Sequence, residues 1–95
     1  MTYFQVNWLH SFDDEPVEIL SELDDERNEI RAIERFRDGT VTLAGPDGAS
    51  GTTLLSEAPL PTLQEIAADP QFRPTEIDKE TFERSWQAAM VLTAA

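Results

Sequence analysis

The dipeptide Asp38-Gly39, followed by Thr40-Val41-Thr42-Leu43, most constrains what this chain can fold into. Asp-Gly is a strong short-range hairpin signal, because its residues accept the positive φ that a tight turn between twisted strands requires. The flanking residues read two ways. Ile30, Ile33 and Phe36 sit at helical spacing, and a single charged helix over 21–37 ended by Gly39 is one reading. The other pairs a strand at 29–37 with a strand at 40–44, and the turn chemistry favours it.

The N-terminus supports a sheet. Phe4, Val6 and Trp8 share one parity against Gln5 and Asn7, the period of a half-buried strand, here placed at 2–10. Pro16 interrupts the pattern by disfavouring the helical region at Glu15. Val17, Ile19, Ser21 and Leu23 then alternate with Glu18 and Glu22, giving a strand at 17–23 and a turn at Asp24-Asp25-Glu26-Arg27. Gly45, Pro46, Asp47, Gly48 and Gly51 mark a loop over 45–51. Ala58-Pro59-Leu60-Pro61 reads as a rigid extended strap. Thr62-Leu63-Gln64-Glu65 is a capping box that opens a short helix at 63–68. Asp78 is a helix N-cap, Ile77 and Phe82 form a hydrophobic staple, and Phe82, Trp86, Ala89 and Met90 make an apolar stripe, giving a helix at 79–91. Thr93-Ala94-Ala95 is expected to fray. The expected fold is α+β: one domain over 1–95, with an antiparallel sheet of about four strands and both helices on one face. Its core would take Phe4, Val6, Trp8, Val17, Ile19, one face of 29–37 and the stripe around Trp86.

The spaced residues Tyr3, Val6, Trp8 and His10, then Asp14-Glu15-Pro16-Val17 and Ser21-Glu22-Leu23-Asp24, form a recognisable pattern. It continues through Arg31, Ile33-Glu34, Phe36 and Asp38-Gly39 to Glu57-Ala58-Pro59-Leu60-Pro61, Ala68-Asp69-Pro70, Phe72, Phe82 and Trp86. Together these residues resemble a small bacterial family known only as a domain of unknown function. The resemblance spans about 3–86 and supports the hairpin reading. It implies no activity; toxin-neutralising immunity proteins occur among such orphan families, which makes an immunity-protein-like inhibitor one form this chain could take.

Composition narrows the function classes. Nineteen acids against seven bases give a net charge of −12, which argues against nucleic-acid binding and against an anionic membrane surface. Residues 13–29 hold nine of those acids and one base, Arg27. The chain has no cysteine, and therefore no disulfide or thiolate metal site. It has no apolar run of membrane-spanning length. Its first residues lack the basic and apolar regions of a secretory signal, so a cytoplasmic location is expected.

Candidate contact residues emerge from these patterns. His10, the one histidine, follows Trp8 on the apolar parity and precedes Asp13, Asp14 and Glu15. An imidazole among carboxylates suits a ligand or cation contact. A histidine that merely holds the strand end is the plainer reading. Asp13-Asp14-Glu15 and Asp24-Asp25-Glu26 lack the spacing of a calcium loop and read as solvated acids or as a docking surface for a basic protein. Arg31, Arg35 and Arg37 are expected to pair with Glu18 and Glu22 across strands. The glycine-rich segment lacks the lysine of a phosphate-binding loop. No catalytic set, metal site or cofactor is expected. The leading expectation is a protein-interaction module for a basic partner, contacting through Trp8, His10, Asp13, Asp14, Glu15, Asp24, Asp25 and Glu26. A small-ligand or cation-binding domain using His10, Asp14 and Glu15 is the alternative, and self-association through a sheet edge stays open.

Overall fold

The computed structural model describes residues 1–46, 48–50 and 53–93. Strands β1 (Thr2–Trp8), β2 (Glu18–Leu23), β3 (Glu29–Arg35) and β4 (Val41–Gly45) form an antiparallel meander. Two further strands extend it, β5 (Gly48–Ser50) beside β4 and β6 (Phe72–Ile77) beside β1, giving the order β5-β4-β3-β2-β1-β6. Helix α1 spans Leu63–Ala67 and α2 spans Lys79–Thr93. The fold is α+β, as the sequence indicates, but the sheet has six strands rather than about four. Gly48–Ser50 reads as loop in the sequence; it pairs back onto β4, with Gly48 at φ 126° after the turn. Phe72–Ile77 carries no alternation strong enough to mark it, and Pro74 argues against a central strand. At a sheet edge, where β6 lies, a proline is tolerated. Asp47, Gly51 and Thr52 of the expected 45–51 loop and its flank, and Ala94 and Ala95, where fraying is expected, lie outside the described residues, while Thr93, also expected to fray, ends α2.

The hairpins explain why β3 stops at Arg35 instead of residue 37. The Phe36 amide donates to the Thr40 carbonyl and the Gly39 amide to the Phe36 carbonyl, with Gly39 at φ 92°. This is a three-residue loop, a turn followed by a left-handed residue, rather than the two-residue turn. The β2–β3 connection repeats it. The Asp24 amide donates to the Asn28 carbonyl and the Arg27 amide to the Asp24 carbonyl, and Arg27 takes the left-handed position at φ 67°.

Successive strand residues face opposite sides of a sheet, and here both sides are buried. The helices therefore divide between the faces rather than sharing one. On the first face α2 lays Phe82 and Ala89 against Tyr3, Leu20, Ile33 and Leu43. On the second, Leu63 and Ile66 of α1 pack with Phe4, Val6, Leu23 and Phe72. Phe4 and Val6 thus do not meet the Trp86 stripe; Tyr3, on the opposite parity, does. The cap of α2 is as expected, with Asp78 accepting from the Thr81 amide at 2.7 Å. The α1 capping box is likewise formed between Thr62 and Glu65.

One ionic cluster ties α2 to the sheet. Arg31 grips both oxygens of Glu22, at 2.6 and 3.1 Å, and also binds Glu83 of α2. Its guanidinium lies 4.9 Å from the ring centres of both Phe82 and Trp86, a cation–π arrangement. Arg35 pairs with Glu18. The expected cross-strand pairing thus holds for Arg31 and Arg35, whereas Arg37 turns to the β1–β2 loop. The Arg31 guanidinium holds Glu22 below the usual carboxylate range despite its burial. Burial, reinforced by that carboxylate, raises the Tyr3 phenol.

Because the unfolded chain binds a proton at Glu22 more readily than the folded one, the pair's contribution is complete above about pH 4.5 and is lost as pH falls through the lower folded value. Urea titrations should show that Glu22→Gln, compared with the parent, loses most stability near neutrality and progressively less below pH 4.5. Gly39→Ala meets no atom within 4 Å, so its cost is that of the left-handed backbone alone. A loss of about 1–2 kcal/mol is expected in the same assay.

Candidate functional site

The residues singled out from the sequence separate into two groups. The end of β1 and the loop after it hold Trp8, His10, Asp13, Asp14 and Glu15; the turn after β2 holds Asp24, Asp25 and Glu26. Strand β2 runs between them, and its six residues put the two acidic groups roughly 20 Å apart at about 3.3 Å per residue, at opposite ends of the sheet. They do not form one acidic surface.

Within the first group, His10 organises its own loop. Its Nδ1 accepts from the Phe12 amide at 3.0 Å and its Nε2 lies 2.8 Å from the Pro16 carbonyl, so the hydrogen-bond network assigns the neutral Nε2–H tautomer. The ring is flanked by Trp8 at 4.4 Å and Phe12 at 5.4 Å between centroids. Trp8 also packs on Phe72, and its Nε1 donates to Gln71. Arg37 donates to the carbonyls of His10 and Phe12, at 2.6 and 3.0 Å, and lies 3.6 Å from Asp13. Asp14 and Glu15 are exposed. In the second group, Asp24 accepts from the Glu26 and Asn28 amides, which lower its carboxyl below the ordinary value and shape the turn. Asp25 lies 3.5 Å from the N-terminal ammonium. Of these side chains, His10 and Asp24 are the ones that bond to turn backbone, and the other acids of both groups stand at the surface.

A site the sequence did not disclose lies on the second face of the sheet. Helix α2, with fifteen residues, covers the first face; the second has only the five-residue α1 and the irregular segment leading to it. The uncovered part is a groove of about 450 Å³. Phe4, Val6, Ile19 and Ala32 form its floor, Ile66 and Phe72 one wall, and Leu54 and Leu60 the other. Around this apolar surface stand four carboxylates, Glu29 and Glu34 on β3 and Glu65 and Asp69 at α1. No Lys or Arg lines it among the described residues. The nearby Arg27 donates to the carbonyls of Leu60 and Pro61, at 2.9 and 2.5 Å, clamping the strap.

The β3 carboxylates anchor the segment that bounds the groove. Glu29 accepts from the Ser21 hydroxyl at 2.7 Å and the Ser56 amide at 2.9 Å. Glu34 accepts from the hydroxyl of the buried Thr53, which also meets Thr42. Glu65 caps its own helix, which lowers its carboxyl, and Asp69 accepts from the Gln71 amide at 3.0 Å. None of the four is in an ion pair among the described residues. The sequence held one trace of the groove. Ser21, Ala32, Thr42 and Ala44 are small or polar at buried strand positions, the signature of a face not filled by large side chains.

A family described as a domain of unknown function (DUF6881) matches residues 2–91. The chain is a member of the DUF6881 family. The groove and both loops lie within the matched region. Neither the comparison with curated proteins nor that with solved structures yields a match. Among the described residues, no cluster of three or more His, Asp or Glu is placed to hold a metal ion, and no helix is long and apolar enough to cross a membrane.

Replacing His10 by alanine removes an acceptor for the Phe12 amide and a donor for the Pro16 carbonyl. Stability should fall by about 1–2 kcal/mol in chemical denaturation. Amide exchange at Phe12 should accelerate; unchanged exchange there would mean that the ring does not hold the loop.

Proposed function

We propose that this DUF6881 domain is a protein-interaction module that docks a basic partner, of which a toxin-neutralising inhibitor would be one case. The observation that carries this reading is the groove rim: four carboxylates and no cation, among the described residues, around an apolar floor. In a chain of net charge −12 the surplus acid raises the encounter rate with a basic surface. The groove supplies what charge alone does not, an apolar area whose burial lengthens the life of the complex. The acidic loops at 13–15 and 24–26 add to the long-range field from the two ends of the sheet.

The alternative, a small ligand or cation held by His10, Asp14 and Glu15, has less support. Both ring nitrogens of His10 are already taken by backbone groups, while Asp14 and Glu15 face solvent. Edge-to-edge self-association has less support too, since β5 is three residues long and β6 contains Pro74.

The test compares two columns. One carries the parent domain, the other a variant in which Glu34 and Glu65 become Gln and Asp69 becomes Asn, changes that keep the single acceptor oxygen each uses; Glu29, which accepts with both oxygens, is left in place. Host lysate is applied at low salt and eluted with rising salt. A basic protein should be held by the parent and leave the variant at clearly lower salt. Retention of the same proteins to the same salt on both would remove the groove from the reading. A parent column that binds no basic protein would overturn it.

A further inference from the structure

The layout of the rim says more about the occupant than its charge does. Glu29 and Glu34 stand on β3, and Glu65 and Asp69 stand across the apolar floor at α1. A ligand with a single cationic head could meet one side and would leave the other side's carboxylates facing its apolar body. A chain that places cations on both sides of an apolar anchor meets both. The groove holds a few apolar side chains, not the whole face of a long helix. Its floor and walls include Ile19, Ile66 and Phe72, each partly exposed, and the 81%-exposed Leu54.

We infer that the groove receives a short linear segment of the partner in which one or two large apolar side chains are flanked on both sides by Lys or Arg. The apolar side chains seat against Ile19, Leu54, Ile66 and Phe72, above the buried Phe4, Val6 and Ala32, and the flanking cations reach Glu29 or Glu34 on one side and Glu65 or Asp69 on the other. This rests on the docking reading and gives it a recognition rule. Anchor and rim both contribute affinity, and the rim also selects against acidic or neutral flanks through the cost of leaving carboxylates unmatched.

Three probes separate the outcomes: a synthetic Lys-rich peptide with two central leucines, the same peptide with serine in place of leucine, and dodecyltrimethylammonium below its micelle concentration. Each is titrated into the isoleucine-methyl-labelled domain and followed by NMR. The leucine peptide should shift the Ile19 and Ile66 methyls and leave Ile33 and Ile77, on the α2 face, in place. It should bind at least about tenfold more tightly than the serine peptide, a ratio set by burying the anchors. Combined neutralisation of Glu34, Glu65 and Asp69 in the same variant should weaken it by a comparable factor. Equal binding of the two peptides would overturn the anchor. Shifts at Ile33 and Ile77 instead of Ile19 and Ile66 would overturn the site. Tighter binding of the amphiphile than of the leucine peptide would make the groove a small-molecule site. Should the leucine peptide fail while the parent column still holds a basic protein that the rim variant releases, this inference falls and the docking reading stands.

Discussion

Arg31 is the side chain on which the packing of this domain turns. It projects from the central strand β3, bridges to Glu22 on β2 and Glu83 on α2, and lies against the rings of Phe82 and Trp86. An arginine so enclosed is tolerable only because its charge is matched on two sides and its faces are covered by rings. The same contacts fix the rotation of α2, since Glu83 must meet the guanidinium while Phe82 enters the core. Gly45 belongs to this arrangement: a Cβ there would lie 3.1 Å from the Trp86 ring, so the tryptophan reaches over β4 only because that position is bare.

The two faces of the sheet are finished differently. The α2 face is closed by a long helix with aromatic and ionic contacts. The α1 face is closed by a strap that has no regular structure among its described residues and is fastened polar group by polar group: Thr53 to Glu34, Ser56 to Glu29, Leu60 and Pro61 to Arg27. Carboxylates at Glu29 and Glu34 serve both purposes. They hold the strap with one part of their hydrogen-bonding capacity and leave negative charge at the groove with the rest.

Much of the fold was legible in the sequence because its signals are local. Alternation marked β1 and β2, Asp-Gly marked the β3–β4 hairpin, and the caps at Thr62 and Asp78 marked both helices. The cross-strand pairing of Arg31 with Glu22 followed from parity. What could not be read depends on contacts between distant segments. Which face each helix covers is decided by the strap, whose sequence carries no directional signal. Strand β6 forms because β1 offers it an edge, and Pro74 hides it from any pattern. His10 was noticed for its neighbours in sequence, yet its partners are the backbone of Phe12 and Pro16. Apart from the small and polar strand residues on that face, the groove left no mark in the sequence, because its four acids come from β3 and α1 and Glu65 already had a sufficient local explanation in its cap.

The position of β6 bears on how the molecule assembles. Strands β1 to β5 join by successive short connections, so their contacts are close in sequence and can form early. Strand β6 pairs with β1 from the other end of the chain, Ile77 beside Tyr3, after the backbone has crossed the whole sheet from the β5 edge. Closing that long loop comes after the meander exists to receive it. The walls made by Ile66, Phe72, Leu54 and Leu60 therefore depend on contacts of long sequence separation, whereas the floor rests on the meander. The floor of the groove belongs to the meander and its walls to the crossover from β5 to β6, so one binding surface is assembled from segments that meet only once the whole chain has folded.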